Sequence, residues 1–322
     1  MHERYQRQMV LPEVGVAGQA RLAAARVLVV GVGGLGCAAL PYLVGAGVGA
    51  LMLIDPDRVA LSNLHRQTLY RASQVGAWKV EAARDALLAL NPELRIEAVA
   101  ERLGPAAALR RVAQADVVLD AADSFAVTYL LSDACRAQRR TLVSASVVGL
   151  QGYVGVFCGP APSVRAVFPE LPQAAGSCAE SGVLGSAVGV LGSLQAHLTL
   201  GALLGWEPPV HGRMITLDLR TLHFGGFSFA MAAEPTGPDL PFIDREAVEA
   251  GDTVVDLRGA LEAPVPAFPQ ALRLSVQALE HAPVSASGRI VLCCRSGLRA
   301  WHGARTLQRR GYRDLALLAL GE

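Results

Sequence analysis

The 322-residue sequence has no lysine-rich run and almost no net charge, since 29 Lys and Arg residues face 28 Asp and Glu residues. This balance argues against a nucleic-acid-binding surface as the main function. The first ten residues, MHERYQRQMV, contain no apolar segment of the kind that directs secretion. We therefore expect a cytoplasmic protein, and the length predicts two domains.

The six cysteines show no spacing typical of a disulfide framework, and no C-x-x-C pair occurs. Free thiols are the simplest interpretation. One apolar stretch imitates a membrane span, because no charged residue lies between Glu180 and Glu207. However, Gln195, His197 and many glycines interrupt it, so we expect a buried helix of a soluble domain instead.

Strand and helix patterns alternate along residues 26–147, starting with the apolar run RVLVV before a glycine-rich turn. Such alternation predicts an α/β fold with a Rossmann-like, doubly wound, mostly parallel sheet. The Pro- and Gly-rich residues 233–241 are typical of a linker between units 1–232 and 242–322. In the second unit the pattern predicts short strands and helices over 271–280 and 298–310.

The turn GVGGLG places Gly31, Gly33 and Gly36 at G-x-G-x-x-G spacing directly after a strand. Glycines there let backbone N–H groups approach a phosphate at a helix N-terminus. Asp55 ends the next strand, where a carboxylate can hold ribose hydroxyls. On this motif alone, a nicotinamide or flavin dehydrogenase is equally compatible with the sequence.

Polar loops after the strands favour a triphosphate over a dinucleotide. They supply Asn63, Arg66, Gln67 and, at the start of the next helix, Lys79. Two or more cations in one pocket suit a triphosphate better than a pyrophosphate. Asp120 and Asp123 follow the fourth strand, where a carboxylate could hold a magnesium ion.

These motifs together resemble the ThiF/MoeB-type family, the bacterial relatives of ubiquitin-activating enzymes. The resemblance rests on RYQRQM, GVGGLGC, LIDPDRVALSNLHRQT, VGAWKVEAA and LDAADS, and covers roughly residues 1–230. It implies an enzyme that uses ATP and magnesium to adenylate the C-terminal glycine of a ubiquitin-like sulfur-carrier protein.

The resemblance assigns a role to each matching residue. It implies that the nucleotide is held by Gly31, Gly33, Gly34, Gly36, Asp55, Asn63, Arg66, Gln67 and Lys79. Asp123 would coordinate magnesium, and Arg7 would reach the triphosphate of the partner subunit, which implies a homodimer. Cations and metal would then catalyse the reaction by charge stabilisation.

The sequence departs from the family pattern at two places. Ser124 stands where the family often has an asparagine after the magnesium-binding aspartate. Ser163 and Ala166 stand where many members have the first of two C-x-x-C pairs that hold a structural zinc. Zinc requires four soft or imidazole ligands, so we expect no zinc site.

The family often keeps a cysteine at the position of Cys178, in the stretch GSCAESGV. In some members this cysteine engages the activated carrier, and in others it is dispensable. A passive thiol near a helix start is the alternative interpretation. A helix N-terminus would favour the thiolate of Cys178.

The loop CRSGLR, formed by Cys294, Arg295, Ser296, Gly297, Leu298 and Arg299, follows an apolar strand and opens a helix. Successive backbone N–H groups in such a loop point inward and favour a nucleophilic Cys294 thiolate. The spacing C-x4-R is one residue shorter than that of cysteine phosphatases, so it suits a persulfide better than a phosphate. Cys293, as the last strand residue, should point into the core.

Together with VVDLRG and GYRDLALLALGE, this loop resembles a rhodanese-like sulfurtransferase domain over residues 242–322. The resemblance makes Cys294 the persulfide carrier and Asp256 and Arg258 a structural pair. The stretch between those motifs is short, so a helix or a wall of the site is expected to be missing. A docking domain without catalysis is the alternative.

The two resemblances combine into one expected reaction. The first unit would activate the carrier as an acyl-adenylate, and sulfur on Cys294 would convert it into a thiocarboxylate. A cysteine desulfurase or thiosulfate would supply the sulfur, and no nucleic-acid or membrane partner is expected. The alternatives are adenylation of another carboxylate, an NAD-binding protein with a redox thiol, and an interaction scaffold.

Overall fold

The computed structural model describes residues 2–171, 182–236, 240–284 and 288–321. Two sheets and the helices around them account for its regular structure. The helices are α1 (His2–Met9), α2 (Gly15–Ala24), α3 (Gly34–Gly45), α4 (Lys79–Leu90), α5 (Pro105–Ala113), α6 (Phe125–Gln138), α7 (Val164–Val167), α8 (Gly185–Leu204) and α9 (Leu298–Arg309).

The first sheet has eight strands in the order β3-β2-β1-β4-β5-β6-β7-β8. They are β1 (Arg26–Val30), β2 (Ala50–Ile54), β3 (Arg95–Val99), β4 (Val117–Asp120), β5 (Thr141–Val148), β6 (Gln151–Cys158), β7 (Arg213–Asp218) and β8 (His223–Ser228). The first five strands in sequence are parallel, whereas β6, β7 and β8 pair antiparallel. The expected parallel sheet therefore forms, but three antiparallel strands extend it.

Alternate residues of β1 feed two separate cores. Val27 and Val29 lie in one hydrophobic cluster, and Leu28 and Val30 lie in the other. Neighbouring strand residues point to opposite faces, so a strand that is apolar throughout must be covered on both sides. The β1 residues RVLVV therefore set the doubly wound arrangement, with helices on each face.

The long apolar stretch forms α8, which packs against α3 and β5 as a core helix. Within the described residues, it is the one helix long and apolar enough to cross a membrane, and 56% of its most apolar window is buried in the protein. Gly192 permits the close packing, since a Cβ there would stand 2.6 Å from the Leu35 carbonyl oxygen. The expectation of a buried helix agrees with this packing.

The second sheet is parallel, in the order β10-β9-β11-β12. Its strands are β9 (Thr253–Asp256), β10 (Leu272–Arg273), β11 (Ile290–Cys294) and β12 (Leu315–Ala319). The predicted helix over 271–280 is wrong, because these residues form β10 and a 3₁₀ turn, Ala278–Glu280. The two short elements have different neighbours: β10 pairs with β9, whereas Leu279 of the 3₁₀ turn is buried in a cluster with residues of α9.

The two units share one core. The cluster that contains Ala126 and Leu130 of α6 also contains Leu292, Cys294 and Leu298 of the second unit. Polar contacts cross the same boundary: the Asp244 carboxylate accepts the N–H of Ala106 at 3.0 Å, at the start of α5. The predicted linker is anchored on both sides of residues 237–239, through Glu234 and the buried Leu240.

Candidate active site

The glycine turn lies at the carboxyl end of β1 and opens α3. Gly31 has a φ of +92°, and a Cβ there would stand 2.6 Å from the backbone of Ala121. A Cβ on Gly36 would stand 2.3 Å from the Gly31 carbonyl oxygen. These two glycines are therefore required by the packing of the turn against β4 and against itself.

Side chains from two other elements hold the turn in place. The buried Asp55 carboxylate accepts the N–H of Val32 at 2.7 Å and that of Asp57 at 2.8 Å. The Tyr70 hydroxyl donates to the Val32 carbonyl at 2.6 Å. Burial raises the pKa of Asp55, and the positive charge of Lys79 opposes this shift. The turn is thus preorganised before any ligand binds.

Gly33 differs from its neighbours because the protein leaves space beside it. Its φ is −80°, outside the left-handed region. A Cβ on Gly33 would have a single neighbour, the Gln67 side-chain nitrogen at 3.6 Å, which is ordinary contact. Gln67 is 3% exposed, and its Oε1 atom has no hydrogen-bond partner. Since Oε1 accepts hydrogen bonds, a ligand donor such as a ribose hydroxyl in this open cradle would complete it.

Lys79 is the single lysine of the sequence and is 5% exposed, at the first residue of α4. Its ammonium group pairs with the Asp57 carboxylate at 2.7 Å, and that carboxylate side chain is 63% exposed. A buried cation held only by an exposed partner can exchange that partner for a phosphate. Sequence reasoning missed Asp57, although it lies two residues after Asp55.

Arg66 and Asn63 lie in the same turn as Gln67, since the N–H groups of Arg66 and Gln67 both donate to the Asn63 carbonyl. Arg66 is half-buried, and its side chain lies 3.7 Å from the Cβ that Gly34 would carry. The polar loop is therefore folded onto the glycine turn. The structure therefore brings the predicted residues Arg66 and Gln67 against the glycine turn.

The two aspartates after β4 have different environments. Asp120 is fully buried, and its carboxylate accepts hydrogen bonds from Thr128, Ser144 and the N–H of Ala122. Burial raises the pKa of Asp120 to about 6. Asp123 is exposed in the loop that precedes α6. Since the Asp120 oxygens are already engaged, Asp123 is the carboxylate that fits a magnesium ligand.

Arg7 is exposed on α1 and lies far from the glycine turn of its own chain. Tyr5 of α1 packs on Gly47, just beyond the C-terminal end of α3. The glycine turn is at the other end of this 12-residue helix, which is about 18 Å long. Arg7 therefore cannot complete the site of its own chain from this position, and its predicted role in a partner subunit stays a prediction.

The position at which many family members have the first C-x-x-C pair holds a hydrogen-bonded pair without cysteine. Ser163, which is 1% exposed, donates its hydroxyl to Glu234 at 2.6 Å and its N–H to the same carboxylate at 2.7 Å. Ala166 offers no ligand, and no group of three or more His, Cys, Asp or Glu residues within the described ranges could hold a metal. These residues do not fit zinc. Neither Glu234 nor its pairing was foreseen from the sequence, because the partners are 71 residues apart.

Cys294 ends β11 and lies inside the loop that follows it. Its Sγ accepts the N–H groups of Gly297 at 3.2 Å and Ala300 at 3.3 Å, as the cradle interpretation requires. However, Cys294 is 0% exposed, so the predicted nucleophile is buried. Cys293 is not the last strand residue, but it faces a separate cluster on the opposite side of the sheet.

Two ion pairs frame the thiol loop. Arg258 binds the buried Asp256 through two hydrogen bonds of 2.9 and 2.8 Å, so the predicted structural pair forms. Burial favours a higher pKa for Asp256, but the bonds from Arg258 and Ala267 outweigh it and lower that pKa. Arg299 pairs with Glu262 and also donates to the Leu257 carbonyl. Glu262 was not foreseen, since it lies in a proline-rich loop without a pattern.

Cys178 lies outside the described residues, so its predicted role stays a prediction. The glycine turn, Asp55 and Asp123 lie at or just beyond the carboxyl ends of β1, β2 and β4. Ligands of open α/β sheets bind at such ends. The arrangement can hold a phosphorylated nucleotide over the glycine turn, with Lys79 and Arg66 as the nearby cations.

Comparison with known proteins identifies related sequences. The ThiF family profile matches residues 5–237. "Sulfur carrier protein adenylyltransferase" of Thermus thermophilus is 44% identical over 224 residues, which are 67% of this chain and 83% of that protein. "Adenylyltransferase and sulfurtransferase MOCS3" of Bos taurus is 48% identical over 218 residues, or 67% of this chain and 48% of that protein. The chain spans about half the length of the MOCS3 relatives it matches.

Solved structures share the fold. Escherichia coli MccB in complex with N-formylated MccA superposes with a TM-score of 0.64 at 20% identity, covering 73% of this chain and 74% of that one. PaaA superposes with a TM-score of 0.60 at 22% identity, covering 71% and 73%. At these identities the likeness concerns the fold alone.

Proposed function

The chain belongs to the ThiF family, and from this premise we propose that it uses ATP to adenylate the C-terminal glycine of a ubiquitin-like sulfur-carrier protein. We propose further that Cys294 then delivers sulfur to the activated carrier. The names of the Thermus thermophilus and MOCS3 relatives support the choice of a sulfur carrier as substrate. About half of each MOCS3 relative is unmatched, so the sulfur step rests on the Cys294 loop.

The observation that carries the proposal is the open cradle beside Gly33. Here the protein leaves free space, an unpartnered Gln67 oxygen and a buried Lys79 ammonium at one end of the sheet. A nicotinamide dinucleotide would need no buried lysine next to the ribose-binding Asp55. A triphosphate places negative charge along this path, and fixed cations stabilise that charge.

Adenylation requires the carrier carboxylate to attack the α-phosphate while pyrophosphate leaves. Lys79 and Arg66 would hold the phosphate oxygens, Asp55 the ribose, and Gln67 a nucleotide group within reach of its Oε1. Magnesium, held by Asp123 and phosphate oxygens, would neutralise charge on the pyrophosphate. Positioning and charge provide the rate enhancement, so no side-chain nucleophile is needed in this step.

The sulfur step would start with the Cys294 thiolate. It attacks the sulfane sulfur of a persulfide donor, the donor's thiol leaves, and Cys294 becomes a persulfide. Its terminal sulfur attacks the acyl-adenylate carbonyl, AMP leaves, and an acyl disulfide forms. A second thiol, for which Cys178 is a candidate, then breaks the S–S bond by forming a disulfide with Cys294, and the carrier thiocarboxylate is released. An external thiol reduces that disulfide before the next cycle.

The first test is ATP–pyrophosphate exchange with a panel of small ubiquitin-like proteins that end in Gly-Gly. Exchange that depends on one carrier supports adenylation and identifies the substrate. If folded protein binds ATP but shows no exchange with any carrier, another carboxylate must be the substrate. A peptide or a conjugated modifier, with residues 242–322 acting only in docking, would then be the better assignment.

The division of labour between the units has its own test. Cys294→Ala should keep carrier-dependent exchange but abolish thiocarboxylate formation, measured by mass spectrometry of the carrier. Cys293→Ala is the matched control, since Cys293 is the adjacent thiol on the opposite sheet face, and it should keep both activities. Equal loss of both activities in Cys294→Ala would contradict the assignment.

A further inference from the structure

The thiol loop is closed by residues outside it. Gly297 has a φ of +84°, and a Cβ there would stand 2.7 Å from the Phe242 ring and 3.2 Å from the Ala126 Cβ. Phe242 is the first residue of the second unit and is buried, and it forms an isolated bridge with Leu317 of β12. Ala126 is the second residue of α6, in the first unit. The backbone at Gly297 is therefore packed between the two units.

Sulfur chemistry cannot proceed in this closed arrangement. Cys294 is 0% exposed, and its Sγ is already in contact with the N–H groups of Gly297 and Ala300. A persulfide adds one sulfur atom about 2.05 Å beyond Sγ. A donor must also approach along the line of that new bond. While Gly297 stays against Phe242 and Ala126, the buried site leaves no space for the added sulfur atom and no path for the donor.

We propose that Phe242 and Ala126 form a latch on the Cys294 loop, and that the loop must move away from them before the thiol accepts or delivers sulfur. The role of the latch in sulfur transfer rests on the proposed function, whereas the contacts at Gly297 do not depend on it. The contact links the thiol to the start of α6, which directly follows the loop carrying Asp123. The latch would keep the Cys294 thiol away from solvent between turnovers.

The neighbouring thiol provides an internal control. Cys293 is equally buried but faces a different cluster, with Val254, Ala267 and the partly buried Phe268. Opening of the latch should expose Cys294 alone. Unfolding of the second unit would expose both cysteines together, because they are consecutive residues of β11. The ratio of the two reaction rates therefore separates local opening from unfolding.

The experiment measures alkylation of the full chain by iodoacetamide, with mass spectrometry resolving Cys293 from Cys294 in the peptide that contains both. Phe242→Ala should raise the rate at Cys294 by about tenfold or more, because the lost ring no longer opposes opening. The rate at Cys293 should stay within about twofold of the parent protein. Phe268→Ala, the matched truncation on the other face, should not accelerate Cys294 selectively.

A second variant keeps the test valid if Phe242→Ala misfolds. Ala126→Gly removes only the Cβ that contacts the loop and should raise the Cys294 rate in the same direction, by a smaller factor. No selective increase at Cys294 in either variant, or a parent protein whose Cys294 already reacts as fast as a short peptide thiol, overturns the latch. The readout needs no ATP, carrier or sulfur donor, so its failure is distinct from failure of the proposed function.

Discussion

Gly33→Ala separates what the ligand requires from what the fold requires. The new Cβ would have 3.6 Å to the Gln67 side-chain nitrogen, and the φ of −80° lies outside the left-handed region. The folded protein should therefore accept the methyl group. The free energy of unfolding should change by less than about 1 kcal/mol, because alanine also restricts the unfolded chain.

The bound nucleotide should not accept the same methyl group. A phosphate oxygen that takes a hydrogen bond from this turn lies about 2.9 Å from the backbone nitrogen. A Cβ in the open cradle would occupy part of that space. We expect ATP affinity to fall by about 10- to 100-fold, which corresponds to about 1.4–2.8 kcal/mol. Isothermal titration with ATP and magnesium measures this loss directly, and thermal unfolding of the same samples measures stability.

Gly31→Ala is the contrasting variant. Its Cβ would stand 2.6 Å from the Ala121 backbone, and its φ of +92° is unfavourable for alanine. This substitution should lower stability by more than about 2 kcal/mol, since strain and a backbone clash act together. If Gly33→Ala binds ATP as the parent protein does, the cradle does not hold phosphate. If both variants are equally unstable, the distinction between the two glycines is wrong.

Three further outcomes test other parts of the structure. Lys79→Gln should lower ATP–pyrophosphate exchange by about 10²- to 10³-fold, whereas Arg84→Gln, which removes a half-buried cation on the same helix that pairs with Asp85, should leave it unchanged. Between pH 4 and 6 the native Asp120 carboxyl, with its pKa raised to about 6 by burial, holds a proton that the unfolded chain has lost. The contribution of Asp120 to the free energy of unfolding should fall by up to about 3 kcal/mol as the pH rises through that window. Asp120→Asn should flatten the pH dependence of stability measured by thermal unfolding. Glu234→Gln should cost about 1–2 kcal/mol of stability because Ser163 loses an ionised acceptor, and protein purified without chelators should contain no stoichiometric zinc by elemental analysis.

Local patterns predicted the first unit well because its elements are long and strongly periodic. The helix α4 begins at Lys79, where the sequence analysis expected a helix to start. In residues 271–280 the same apolar spacing was misleading. Leu272, Leu279 and their neighbours form a two-residue strand and a 3₁₀ turn, because contacts with β9 and α9 decide the conformation of so short a segment.

The site residues also fall into two groups: those predictable from local sequence and those defined by contacts between distant parts of the chain. Gly31, Asp55 and Lys79 could be predicted because each follows or opens a regular element. The pairing of Ser163 with Glu234 joins residues 71 positions apart, and that of Arg299 with Glu262 joins residues 37 apart. No local pattern encodes such contacts, since they exist only after the chain has packed.

Part of the second sheet is covered by the first unit, which compensates for the short sequence of the second unit. Val255, Leu292 and Cys294 lie on the sheet face that shares a hydrophobic cluster with Ala126 and Leu130 of α6. The helix expected over 271–280 does not form, so this face is covered by α9 and in part by the first unit. Burial of the Cys294 thiol is therefore a property of the whole chain, because α6 of the first unit supplies the wall that the short second unit lacks. The loop of Asp123 directly precedes α6, so the same contact places the thiol site next to that loop.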